Sequence, residues 1–435
     1  MSFDDFNFDA RVMRGIKEMG FDTPTPIQEK AIPAILKGGD LFGLAQTGTG
    51  KTAAFALPII QHLTKGKLRQ IRALVVAPTR ELAEQIHKTF VDLGKFTKVR
   101  STPIYGGVGK KSQIDALKRG VEVLVACPGR LLDLANDGYV DFSKIEILVL
   151  DEADHMCDMG FLPDIKRILG KLPPHRQNLL FSATMPEDIK TLASQFLKNP
   201  ETVQIGITAP AQTVSQAIFP ITQGLKKKLL FHLLDQTATG QLLIFTRTKR
   251  RARFLALDLH KKGYKAVALQ GNMSQNKRQA AIDGFRKGKF DILVATDIAA
   301  RGIDVALLSH VINFDITDTV DAYTHRVGRT GRADASGEAF TFVTPDDEAM
   351  LNSIEQTLEK EIERRVMPDF NYGDFDPLAV LKYRPGRAPK KPKSSSNNNS
   401  QSRRPQRQNG NGRNQRSNGR KRRSHQKNRR IAKSS

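Results

Sequence analysis

The sequence predicts an α/β chain: two tandem domains, each on a parallel sheet, followed by a disordered basic tail. Three observations predict this. Short apolar runs alternate with amphipathic helical stretches over 72–206, and the alternation resumes over 216–366. A strand, a glycine-rich loop and a helix follow one another over 41–63. Composition breaks at 386, beyond which the chain is rich in Arg, Lys, Asn, Gln, Ser and Gly and has no aromatic residue.

The elements justify this in order. Residues 20–28 are turn-rich and become helical through Leu36, with Thr25 as cap and Pro26 at the first helical position. An apolar strand at 41–44 then runs into Ala45-Gln46-Thr47-Gly48-Thr49-Gly50-Lys51-Thr52. The following helix carries Phe55, Ile59 and Leu63 at spacing four. Glycines let the loop curl so that backbone N–H groups face an anion, and the helix N-terminus adds its positive dipole end. Lys51 can then reach the β- and γ-phosphates, and the Thr52 hydroxyl can ligate Mg²⁺. Ala45 stands where the strict pattern has Gly. Just upstream, the Gln28 amide can pair with an adenine edge and Phe21 can stack on the base.

Strands are expected at 73–77, 121–126, 145–150, 179–181 and 202–205, and helices at 81–93, 112–118 and 187–197. Residues 207–215 lack periodicity and read as a linker. Strands at 242–245, 266–269, 292–295, 310–314 and 339–343, with helices at 250–260 and 277–286, form a second unit without a phosphate loop. The expected division is 1–206, linker 207–215, 216–368 and tail 369–435. Aromatic residues at 369–385 pack on the second domain or begin the tail. The stretch from 386 buries too little apolar surface to offset ordering entropy.

The net charge of +24 is unevenly placed. Residues 386–435 hold 17 of the 69 Lys and Arg and no acidic residue, which leaves 52 basic against 45 acidic residues before them. A polyanionic partner is implied. Cys127 and Cys157 form neither a zinc spacing nor a disulfide framework, which suits a reducing compartment. No run of 18 apolar residues exists and the N-terminus is acidic, so a cytoplasmic protein without a membrane span is expected.

Four apolar residues, 147–150, end in Asp151-Glu152-Ala153-Asp154. A carboxylate at the end of a buried strand beside a phosphate loop is where a nucleotide-binding sheet holds Mg²⁺. Asp151 suits the metal and Glu152 suits activating the attacking water. With these residues in place, the chain resembles a DEAD-box ATP-dependent RNA helicase over about 3–345. Phe3 and 20–28 resemble the adenine-reading Q motif, 45–52 motif I, 78–83 motif Ia, Gly106-Gly107 the paired glycines and 128–130 motif Ib. Residues 151–154 spell the family name and 182–184 match motif III. Further on, 245–249 resemble motif IV, Gln270-Gly271 and 274–278 the next RNA-facing segments, 295–304 motif V and 325–332 motif VI.

The resemblance implies two RecA-like domains, RNA-stimulated ATP hydrolysis with ATP and Mg²⁺, and sequence-nonspecific RNA as partner, with ribosome assembly or RNA degradation as the setting. By position it implies that Arg329 and Arg332 are arginine fingers and that Asp304 contacts the ribose. Asp154, Ser182, Thr184, His325 and Arg326 couple hydrolysis to closure. Thr79, Arg80, Gly107, Arg130, Gln270, Gly271, Arg278 and Thr296 contact the RNA backbone. Cys127 replaces the Thr usual before motif Ib, and a thiol is a poorer donor to phosphate. His155, outside the motif, is expected as a surface residue at a helix start. Residues 158–161 are similar to the bacterial RhlE-type branch. A non-catalytic RNA annealer and a DNA translocase are the rivals; the intact catalytic residues oppose the first, and the Q-motif and acidic-motif residues the second.

Overall fold

The computed structural model describes residues 1–46, 48–205, 214–237, 240–300, 308–330, 337–377 and 379. They fall in one compact unit, Met1–Pro385, which holds two sheets. The basic stretch from 386 and most of the expected linker lie outside the described residues.

The first sheet contains β1 (Leu41–Leu44), β2 (Ala73–Val76), β3 (Ser101–Ile104), β4 (Val123–Ala126), β5 (Ile147–Leu150), β6 (Gln177–Ser182) and β7 (Glu201–Gln204). The second contains β8 (Val214–Pro220), β9 (Leu242–Phe245), β10 (Ala266–Leu269), β11 (Ile292–Ala295), β12 (His310–Asn313), β13 (Gly337–Val343) and β14 (Glu363–Arg364). Their spatial orders are β3-β4-β2-β5-β6-β1-β7 and β10-β11-β9-β12-β13-β8-β14. Counted from its own first strand, the second sheet repeats the order of the first. Each pairing between neighbours is parallel.

Alternation along each strand supplies both faces of a sheet. Ala73, Val75, Ile147 and Val149 enter one core, and Leu74, Val76, Leu148 and Leu150 enter the other. In the second sheet Leu242 and Ile244 face one layer, Leu243 and Phe245 the opposite one. Central strands such as β2, β4, β5 and β9 are buried at all four positions.

Some elements differ from the expectation. β3 reads Ser-Thr-Pro-Ile, which carries no apolar run. It is an edge strand, where Pro103 and part-exposed Ser101 are tolerated. Val214 and Ser215, expected in the linker, open β8 opposite Gly337 and Glu338. Phe370 and Tyr372 pack against the core of the second sheet, one of the two outcomes expected for 369–385. Tyr372 Oη accepts from the Met367 N–H at 2.9 Å.

Candidate nucleotide and RNA site

β1 ends at Leu44 and the chain turns through 45–50 into the helix Lys51–Leu63. Gly50 caps that helix at φ +96°, and a Cβ there would stand 2.6 Å from Gln28 Nε2. Only glycine meets both the left-handed backbone and the close approach. Gly48 is also left-handed, and the Thr49 hydroxyl donates to the Gln46 carbonyl at 2.8 Å. Lys51 is buried, and its Nζ donates to the Ala45 carbonyl at 2.8 Å, folded back over its own loop. Thr52 follows in the first turn.

Gln28 is buried in the first turn of the helix Pro26–Leu36. Its Oε1 accepts from the Thr25 N–H at 3.0 Å, and its Nε2 donates to the Gly50 carbonyl at 3.2 Å. An amide offers two acceptor sites and two donor hydrogens, so each atom keeps one for a base edge. Half-buried Phe21 is stacked on Phe3, with centroids 6.3 Å apart.

The acidic segment leaves β5 two strands away. Asp151 is buried and accepts from the Glu152 N–H at 3.0 Å. Burial pushes the Asp151 carboxyl up to about 6, against the opposing charge of Lys51. Burial works the same way on Glu152, but the His155 hydrogen bond, then the charges of His155, Lys51 and Arg329, outweigh it and bring Glu152 down to about 2. Asp154 is an acceptor hub. Its Oδ2 takes the Ala183 N–H (3.1 Å), the Thr184 N–H (2.8 Å) and the Thr184 hydroxyl (3.0 Å). Ser182 Oγ donates to the Thr184 carbonyl at 2.7 Å.

Arg329 comes from beyond the helix Val320–Val327 of the second sheet's layers, yet it is buried and its charge acts on Glu152. A Cβ on neighbouring Gly328 would lie 4.0 Å from Gln46 Oε1. Residues of both sheets therefore meet at the loop. Arg326 turns inward instead. It donates to both oxygens of Asp297 (2.5 and 2.7 Å), to Asn313 Oδ1 (3.1 Å) and to the Asp315 carbonyl (2.6 Å). His325 is half-buried beside it.

A groove of about 540 Å³ is lined from both sides, by Thr79, Arg80 and Arg130 and by Gly271, Met273 and Arg278. Thr79 caps the helix Arg80–Leu93, and its Oγ1 accepts from the Leu82 N–H at 3.3 Å. Gly107 has φ +75°, and a Cβ there would stand 2.1 Å from Arg80 Nη1, so the glycine makes room for that guanidinium. Arg130 donates to the Val108 carbonyl at 3.1 Å and pairs with Asp133 at 3.3 Å. Gln270 and Thr296 are buried at the ends of β10 and β11.

Residues 25–192 match the DEAD/DEAH box helicase family model, and residues 225–334 match the helicase conserved C-terminal domain. The chain is 44% identical over 370 residues to the DEAD-box ATP-dependent RNA helicase CshA of Geobacillus kaustophilus, covering 84% of this chain and 79% of that one. The chain belongs to the DEAD-box ATP-dependent RNA helicases. It is also 44% identical over 371 residues to RhpA of Helicobacter pylori strain B128, covering 85% of this chain and 75% of that one. The solved structure of S. cerevisiae Dbp5 bound to RNA and ADP BeF3 matches it with a TM-score of 0.76 at 32% identity, covering 85% of this chain and 96% of that chain. Both sheets of this helicase are RecA-like, as the resemblance implied.

Within the helicase, Lys51, Thr79, Asp151, Ser182, Gln270 and Thr296 close or follow the carboxyl ends of β1, β2, β5, β6, β10 and β11, the crevice side of such sheets. Thr47, Asp304 and Arg332 lie outside the described residues. One expectation is overturned. His155 is not at the surface; it is 3% exposed, and its Nδ1 lies 3.2 Å from Glu152 Oε2. Arg278 is buried and largely committed. Its Nε donates to Glu81 Oε1 at 2.7 Å, and Nη1 and Nη2 reach the Gln270 and Ala299 carbonyls at 3.4 Å. Cys127 stands in the groove wall as a neutral thiol, its pKa pushed by burial to about 12.

Sequence reasoning gave no role to Glu81, Asp297 or Asp315. Glu81 was visible inside motif Ia and Asp297 inside motif V; Asp315 acquires its partners only through folding. Lys226 opens the helix Lys226–Thr237 after β8 as Lys51 does after β1. It is buried and paired with Asp315 (3.6 Å) and Asp347 (3.9 Å). The second sheet thus neutralises its own lysine with carboxylates, where Lys51 of the first donates to the Ala45 carbonyl.

Proposed function

We propose that this helicase hydrolyses ATP at the 45–52 loop and uses the closed arrangement of its two sheets to open short RNA duplexes locally. Lys51 would hold the β- and γ-phosphates, Glu152 would orient and activate the attacking water by accepting its hydrogen bond, and Arg329 with Arg332 would offset charge developing on the γ-phosphate. Gln28 and Phe21 would select adenine. The single observation that carries the reading is the meeting of the two sheets' residues at the loop, where buried Arg329 follows Gly328, whose Cβ position lies 4.0 Å from Gln46 Oε1. A site completed only when both sheets meet is one that RNA binding can switch on.

The donor set fits Mg²⁺. Among the described residues no three His, Cys, Asp or Glu form a cage of their own. Mg²⁺ in nucleotide sites takes one or two carboxylates and completes its shell with phosphates and water. Asp151, whose burial disfavours its charge, and Thr52 would hold it. Bound there, it would polarise the phosphates and screen their charge.

RNA would cross the groove by backbone contacts from Thr79, Arg80, Gly107, Arg130, Gln270, Gly271 and Thr296. A strand held bent cannot stay in a regular duplex. At about 1.4 kcal/mol per stacked step, by analogy with DNA, a handful of steps lies within the reach of binding energy. No described helix is long and apolar enough to cross a membrane, and the reading includes a cytoplasmic setting, RNA-processing partners and a place in the RhlE-type branch.

The test is ATP hydrolysis with and without single-stranded RNA at near-physiological salt, with DNA as control and Lys51→Ala as the dead variant. Strong stimulation by RNA alone is expected. Hydrolysis indifferent to RNA, or retained in Lys51→Ala, overturns the reading.

A further inference from the structure

We infer that His155 is a positioning residue for Glu152, extending the acidic motif by one side chain; the inference rests on the role proposed for Glu152. His155 lies three residues after Glu152, in the first turn of the helix Ala153–Asp158, and the two side chains meet. Glu152 itself is the residue before that helix and holds φ +51°, ψ +53°. The His155 ring reaches its carboxylate directly. Its Nδ1 is 3.2 Å from Glu152 Oε2, with the two side chains only 4% and 9% exposed.

The rest of the ring's surroundings narrow its purpose. Among the described residues, Nε2 is buried and makes no hydrogen bond. A buried polar atom left unpaired is a cost that an apolar side chain would avoid. The imidazole's hydrogen bond goes to Glu152, so packing alone gives no reason for it. A carboxylate that must orient water gains directly from a fixed rotamer, because misplacement by about 1 Å costs on the order of a hundredfold in rate. Asp154, the next carboxylate, is fixed separately by Ala183 and Thr184. Each acidic side chain of the pair thus has its own clamp.

The test compares full-length His155→Leu, His155→Asn and Glu152→Gln in RNA-stimulated ATP hydrolysis with Mg²⁺. His155→Leu should lower kcat roughly tenfold or more while KM for ATP and RNA affinity stay within about twofold. Its melting temperature should change little, since the unpaired Nε2 goes together with the hydrogen bond to Glu152. His155→Asn keeps an N–H near the Nδ1 position and should recover kcat to within about threefold of wild type. A His155→Leu kcat equal to wild type, or a loss that tracks a fallen melting temperature and is not recovered by Asn, overturns the inference. Glu152→Gln separates the two readings. If it turns over at the wild-type rate, the role of Glu152 fails. If it is dead while His155→Leu is normal, only the role of His155 fails.

Discussion

Glu152 pays for its left-handed backbone with on the order of 1–3 kcal/mol, a strain that persists because its neighbours are over-determined. Asp154 does much of that determining, accepting three hydrogen bonds from 183–184 and the His155 N–H at 3.0 Å on its other oxygen. Asp154→Ala should therefore cost about 1–3 kcal/mol in denaturant unfolding, because donors at Ala183 and Thr184 lose their partner. It should also uncouple hydrolysis from RNA, read as a lost ratio of stimulated to basal rate. On the other side of the first sheet, buried Arg72 donates to both oxygens of Glu146 at 2.7 and 2.8 Å, with His62 at 2.6 Å. The Arg72 hydrogen bonds hold the Glu146 carboxyl below its usual value of 4.5. A depressed folded pKa gives stability that is present above the unfolded value and lost as pH falls through the folded one. The destabilisation by Glu146→Gln should thus be largest near neutral pH and shrink below about pH 4. Unfolding midpoints at pH 7 and pH 3.5 check this.

Among helices, the informative pair is Arg80–Leu93 with Gln275–Arg286, one from each sheet's layers. Glu81 and Arg278 join them with side chains 8% and 10% exposed. Breaking a buried pair leaves one charge without compensation, but here opening of the two layers can return it to water. Glu81→Gln should therefore leave the unfolding midpoint nearly unchanged and weaken RNA-stimulated turnover several-fold. Arg278→Met should do the same, and the double variant should lose less than the sum, with a coupling of about 0.5–3 kcal/mol. Additive losses would mean that the two act separately. Strand legibility follows the same logic of partners. β9 and β11 matched their predicted bounds because a strand buried inside a parallel sheet reads as an unbroken apolar run. β3 was missed because an edge strand needs apolar residues on one side only, and β14, two residues long, because it has no pattern to show.

At the scale of the whole molecule, two sheets of one topology carry unequal sites, and a basic stretch follows them. The 17 Lys and Arg of 386–435, without an acidic residue, should bind RNA by counterion release. Deleting 386–435 should weaken RNA binding at low salt and flatten its salt dependence, while the hydrolysis rate at saturating RNA stays near wild type. An unchanged salt slope would exclude that role. The sequence by itself determined the fold class, the loop at 45–52, the acidic segment and the family. Each of these is a local pattern: alternation of apolar runs, glycines at fixed spacing, carboxylates at a strand end. Tertiary structure alone decided which charges are spent inside the protein. His155 became a buried partner of Glu152, Arg326 turned to Asp297, and Lys226 was neutralised by Asp315. The physical reason is that burial and pairing depend on residues distant in the chain, and a lone His, Arg or Lys looks the same in sequence whether it faces water or a carboxylate.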